Sequence, residues 1–116
     1  MVKEFGQFES GRIAVSADND RVTVSLHWPF DRETDEWIDA SAGFDASSLR
    51  VNETGTSLQG GENGDANSEI TLRAVPSGSY RLSLQGRNAL GPVHADLLLP
   101  EQLGKELFGE LASLAG

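Results

Sequence analysis

From Arg21 to Trp28 the chain alternates without a fault: Val22, Val24, Leu26 and Trp28 are apolar, and Arg21, Thr23, Ser25 and His27 are polar. Successive side chains of a strand point to opposite faces, so a period of two commits this segment to a strand with one dry and one wet face. The pattern recurs along the chain. Ile13 and Val15 sit among small polar neighbours in Arg12–Ser16, and Ile38, Ala40 and Ala42 share a face in Glu36–Ala42. Further on, Ile70, Leu72 and Ala74 alternate in Glu69–Val75, Tyr80, Leu82 and Leu84 in Ser79–Gln85, and Val93, Ala95, Leu97 and Leu99 in Val93–Leu99. A shorter apolar run at Ser48–Asn52 is a further candidate strand.

Turn chemistry joins these segments. Asp18-Asn19-Asp20 and Pro76-Ser77-Gly78 each lie between two alternating runs and predict antiparallel hairpins. Pro29 has no N–H for a ladder and is expected to end the strand that begins at Arg21. Residues 53–68 (ETGTSLQGGENGDANS) contain four glycines and a single large apolar residue, Leu58, which predicts a flexible loop. After Leu99 the period changes. Leu103, Leu107, Leu111 and Leu114 recur at helical spacing, with Phe108 and Ala112 widening the stripe. Pro100 suits the first position of that helix, and Glu101 complements its positive end. Gly104 and Gly109 each cost it about 1 kcal/mol relative to alanine, so packing must hold it. The expected fold is α+β, mostly β: an antiparallel sheet of about six or seven strands with one C-terminal helix packed on its apolar face, all in one domain over residues 1–116.

Composition narrows the functional classes. With 38% apolar and 23% charged residues the chain is ordinary globular material. It has no cysteine, which excludes disulfides, thiolate nucleophiles, iron–sulfur clusters and cysteine-ligated zinc. No apolar run approaches the roughly 18 residues of a membrane span. The opening MVKEFGQFES lacks the apolar stretch of a signal peptide, so the cytoplasm is the expected location. The net charge of −9 is confined to one part of the chain: residues 1–69 hold 14 acids and 5 bases, and residues 70–116 hold 4 of each. The densest acids are Asp31, Glu33, Asp35, Glu36 and Asp39, relieved by Arg32 alone. Such a run reads either as a solvated acidic loop that aids solubility or as a field that attracts a basic partner, and it disfavours direct binding of nucleic acid.

Catalytic signatures are missing. There is no Gly-x-Ser-x-Gly, no Walker A sequence and no Gly-x-Gly-x-x-Gly opening a helix. The carboxylates at 31–39 lie in an exposed, charged stretch without the desolvation that raises a catalytic pKa. His94 and Asp96 share a strand face and His27 lies on the polar face of its own strand, the donor set of a facial iron site. Their order along the chain and the want of a shielding barrel favour two solvent-facing histidines instead. No catalytic residue, metal or cofactor is therefore expected. The aromatics remain. Trp37 is out of phase with Ile38, Ala40 and Ala42, which places it on the polar face beside Asp39, and Trp28 and Phe30 bracket Pro29. Aromatics ringed by carboxylates make a protein-binding hot spot, in which the rings supply affinity and the charges supply on-rate. The candidate partner-binding set is Trp28, Phe30, Asp31, Glu33, Asp35, Glu36, Trp37 and Asp39.

The hairpin of residues 69–85, the returning strand ending Asp96-Leu97-Leu98-Leu99 and the helix PEQLGKELFGELASL at Pro100–Leu114 resemble the C-terminal half of small immunity proteins of bacterial polymorphic-toxin and contact-dependent inhibition systems. The resemblance covers residues 69–116 and rests on strand-and-helix order and apolar spacing. Such proteins often carry a helix in mid-chain, where this chain has its glycine-rich stretch at 53–68. The resemblance implies a cytoplasmic inhibitor that blocks one toxin domain, and it carries over no catalytic residue. The expectation is thus a non-enzymatic acidic binding protein that occludes a basic protein partner. The alternatives are an inhibitor whose spaced carboxylates mimic the phosphates of nucleic acid, a small-ligand-binding β domain using His94, Asp96 and His27, and a structural subunit of a larger assembly.

Overall fold

The alternating segments pair as neighbours. The computed structural model describes residues 2–8, 11–31, 36–61 and 68–115, and for residues 2–8, 29–31 and 36 it describes the backbone. The first four strands, β1 (Val2–Phe8), β2 (Gly11–Asp18), β3 (Arg21–Asp31) and β4 (Glu36–Asp45), form an antiparallel meander. At the β2–β3 turn Asn19 takes φ 56, the left-handed conformation that its short polar side chain tolerates. A 3₁₀ turn at Ala46–Ser48 leads to β5 (Arg50–Val51), β6 (Ser57–Gly60), β7 (Glu69–Ala74), β8 (Tyr80–Asn88) and β9 (Gly91–Leu99), and the chain closes with helix α1 (Glu101–Leu114). These strands form one curled antiparallel sheet in the order β1-β2-β3-β4-β8-β7-β6-β5, with β9 on the other side of β8.

The register puts every apolar row on the concave side. Ile13 faces Leu26, Val15 faces Val24, and Val22, Val24 and Leu26 face Phe44, Ala42 and Ala40. In the second half Ile70 and Leu72 face Leu84 and Leu82, and Leu84 faces Ala95. All of these are buried, and with Leu103, Leu107 and Leu111 of α1 they form a continuous core. The helix lies against β1 and β8, so it covers the concave face that the sequence left to it. Its first turn carries an ion pair, Lys105 Nζ to Glu101 Oε1 at 2.8 Å. This hydrogen bond and the adjacent positive charge hold the Glu101 carboxyl below the usual carboxylate range and the Lys105 ammonium above its own.

Several elements depart from the sequence expectation. β1 has no clean alternation in VKEFGQF to announce it. β3 runs on through Pro29 to Asp31, where Pro29 faces Trp37. Beyond His27, β3 has β4 alone as its described partner, and there a residue without an N–H can turn its nitrogen to the open side. The expected strand at Ser48–Asn52 shrinks to Arg50 and Val51, because Leu49 turns into the core. Within 53–68, residues 57–60 are strand β6, with Leu58 buried opposite Leu72; residues 62–67 lie outside the described residues. Pro100 stands one position before the helix and its carbonyl accepts the Gly104 N–H at 2.9 Å.

The two helix glycines have opposite meanings. A Cβ at Gly104 would stand 2.5 Å from Cβ of Tyr80, whereas one at Gly109 would meet nothing within 4 Å. Gly104 lets α1 settle on Tyr80, which also packs its ring on Phe108 with centroids 5.9 Å apart. Gly109→Ala is expected to stabilise the fold by about 1 kcal/mol through helix propensity. Gly104→Ala, with the same gain in propensity, is expected to destabilise it by about 1–2 kcal/mol, since the overpacking outweighs that gain. Urea unfolding midpoints of the two variants should therefore move in opposite directions.

Candidate functional site

The outer face of β3 and β4 follows from the register that fills the core. With Trp28, Leu26 and Val24 turned inward, His27 and Ser25 point outward. On β4 the residues opposite them, Asp39 and Ser41, do the same, and Trp37 lies diagonally from His27, facing Pro29. Diagonal neighbours are within reach of aromatic side chains. The His27 ring stacks on the Trp37 ring with centroids 4.3 Å apart and planes within 5°. His27 Nδ1 is 2.5 Å from Asp39 Oδ1, so the carboxylate fixes the imidazole that supports the indole. From the end of β8, Asn88 Nδ2 donates to the Asp39 carbonyl at 2.8 Å, and Asn88 Oδ1 accepts the Leu90 N–H at 2.8 Å. Leu90, at the tip of the β8–β9 turn, is 97% exposed.

The result is a supported aromatic on the surface. Trp37 is 39% exposed, and the Asp39 side chain beside it is 60% exposed. Stacking on His27 restricts the indole before any partner arrives, which lowers the entropy lost on binding. An indole face beside an accessible carboxylate suits a cationic side chain, which gains cation–π attraction from the ring and charge pairing from Asp39.

The other residues of the candidate set distribute differently. Trp28 is 6% exposed and packs in the core opposite Ile38. The strict alternation of β3 turns it to the concave side, so it offers no surface to a partner, and this corrects its place in the binding set. Phe30, Asp31 and Glu36 extend β3 and β4, with Asp31 opposite Glu36. Glu33 and Asp35 lie outside the described residues. His27, a candidate metal donor in the sequence, is instead the support beneath Trp37. That role links residues of two strands and shows in the sequence only as a shared polar face. His94 and Asp96 are exposed on the outer face of β9, and Asp96 Oδ1 lies 3.8 Å from Arg81 Nε. Among the described residues no group of three histidines or carboxylates is placed to hold a metal, and no helix is long and apolar enough to cross a membrane.

Concave surface lies elsewhere. A depression of about 230 Å³ at the β5–β6 edge is lined by Arg50, Asn52, Ser57, Gln59 and Thr71. Another, of about 530 Å³, lies between the β2–β3 turn, the 3₁₀ turn and Leu114. Neither contains an aromatic ring or a histidine. No family model, curated protein or solved structure matches the chain.

Proposed function

We propose that the chain is a non-enzymatic binding protein that occludes a basic protein partner, in the manner of an immunity protein, through the outer face of β3 and β4. The observation that carries this is the half-exposed Trp37, held flat by His27 and flanked by Asp39. Large aromatics tend to be buried, and β4 could have placed a small polar residue there without loss to the core. The same strands run toward the acids at 31–36, in the part of the chain that carries the whole net charge of −9. Trp37 then acts as the anchor, and Asp31, Glu33, Asp35 and Glu36 speed the encounter.

The test uses the immobilised full chain, its Trp37→Ala variant and a variant with Asp31, Glu33 and Glu36 changed to lysine. Each is incubated with host lysate at low and high salt. A basic protein held by the parent chain and lost from both variants is then purified for association kinetics. Charge reversal is expected to slow association about tenfold or more and to flatten its salt dependence. Trp37→Ala is expected to speed dissociation about thirtyfold, the loss of a hot-spot aromatic worth about 2 kcal/mol. Equal retention by all three chains, or retention by none, overturns the proposal.

A further inference from the structure

Strand β9 is an edge. It pairs with β8 over its whole length and, among the described residues, with no other strand. An unpaired edge presents a row of free main-chain donors and acceptors, which folded proteins cover, blunt or use. This one is nine residues long, has no lysine and no described bulge, and carries its one proline, Pro92, near the end of the strand. Leu98 on its outer face is 59% exposed, and Val93 and Leu97 on its inner face are only partly buried, unlike Ala95 and Leu99 between and beyond them.

We propose that β9 pairs antiparallel with β9 of a second copy of this chain, about a two-fold axis at Ala95. An antiparallel pair in a continuous sheet sets residues of the same face opposite each other, so the axis must pass through a residue and not between two. Three central positions are open. An axis at Asp96 sets the two Asp96 carboxylates against each other and His94 against Leu98. An axis at His94 sets the two imidazoles together and Asp96 against Pro92. The axis at Ala95 alone matches every pair: His94 with the other copy's Asp96 on both sides, Leu98 with Pro92 on the outer face, and Val93 with Leu97 on the inner face. Each of these cross-strand pairs is favourable in kind, imidazole N–H donor with carboxylate acceptor and apolar with apolar.

The ladder agrees with this register. Pro92 has no N–H to give β8, so its pair with Arg87 is of the non-hydrogen-bonded type, and the main-chain groups of Pro92, His94, Asp96 and Leu98 face the open edge. His94 and Asp96 of the two copies then exchange their main-chain bonds in full at the centre. The missing proline donors fall at the two ends, where they cost least. A two-fold contact of this kind is self-complementary and closes at two copies. Arg81 holds Asp96 only at 3.8 Å and half exposed, which leaves the carboxylate free to accept from the second imidazole.

The test is sedimentation equilibrium of the full chain from micromolar to millimolar concentration, on four proteins. The parent chain is expected to dimerise. His94→Asp, which places two pairs of carboxylates across the axis, is expected to weaken the dimer roughly tenfold or more. Asp96→His, which sets imidazole against imidazole, is expected to weaken it as well. The double variant His94→Asp with Asp96→His restores both pairs with their partners exchanged, and the dimer is expected to return. Hydrogen exchange of the parent chain supplies a readout independent of substitution: the amides of His94, Asp96 and Leu98 should gain protection as concentration rises. A parent chain that stays monomeric overturns the proposal. So does a dimer indifferent to the single variants, or one in which those three amides exchange equally fast at all concentrations.

Discussion

Gly86→Ala is expected to destabilise the fold by about 3 kcal/mol, at the upper end for an overpacked site. In an ordinary strand the change goes the other way, since glycine costs about 0.5–1 kcal/mol relative to alanine. The sign reverses because β4 passes directly over β8 at this point. A Cβ on Gly86 falls on the Ser41 carbonyl oxygen and stands 3.2 Å from Cβ of Ala42. The obstacle is backbone, which no rotamer change relieves. Among the described residues the register pairs β4 with β8 at one place, Ser41 with Arg87, so the strain falls on the joint between the β1–β4 meander and the β5–β9 half of the sheet. Urea unfolding of the variant should show a midpoint well below that of the parent chain. Hydrogen exchange should show the amides of β4 and β8 opening ahead of those of β2 and β3. A midpoint equal to or above the parent's would mean that β4 can ride away from β8 without loss.

The second large effect is expected at Leu107. It is fully buried in the middle of α1, and truncation to alanine should cost about 3–5 kcal/mol through lost transfer energy and the cavity left behind. That is a large share of the roughly 5–15 kcal/mol that holds a domain of this size together. Apart from the packing of this apolar stripe, with Leu103 and Leu111 buried on either side of Leu107, little fixes the helix. Pro100 gives no side-chain cap, no basic residue stands in the last turn, and the Glu101–Lys105 pair is exposed, where such pairs contribute little. A thermal midpoint about 10 °C or more below the parent's is expected. Leu114→Ala, at the partly buried end of the same stripe, should lower it far less. Equal shifts for the two would show that α1 is held along its length and not through its centre.

Much of this architecture could be read from the order of residues. The faces of β2, β3, β4, β7, β8 and β9 follow from alternation, and the stripe of α1 follows from its spacing of three and four. Where the period is short or broken, alternation carries no signal: β1, VKEFGQF, has no regular rhythm, and the single buried leucine of β6 stands among glycine, glutamine and serine. Pro29 reads as a strand end because it has no N–H for the ladder, yet β3 runs on through it, where β4 is its one partner among the described residues. At the candidate site the sequence placed Trp37 and Asp39 on the wet face, and the structure puts both there. It also grouped Trp28 with them by nearness along the chain, although the alternation of β3 already turned that ring inward.

The sequence by itself determined which side of each strand is dry, where the chain turns, and that a helix must cover the apolar face. Each of these is a local property, decided by a period of two or of 3.6 residues and by the φ that a turn residue tolerates. Tertiary structure alone decided the rest. His27 meets Asp39 across 12 positions and Asn88 reaches Asp39 across 49, contacts that depend on strand register and on where β8 joins β4. The opposite roles of Gly104 and Gly109 were likewise invisible, because helix propensity is the same at both and only Tyr80 on a distant strand tells them apart. A residue's face is written in its neighbours along the chain, but its partner is chosen by how the sheet curls.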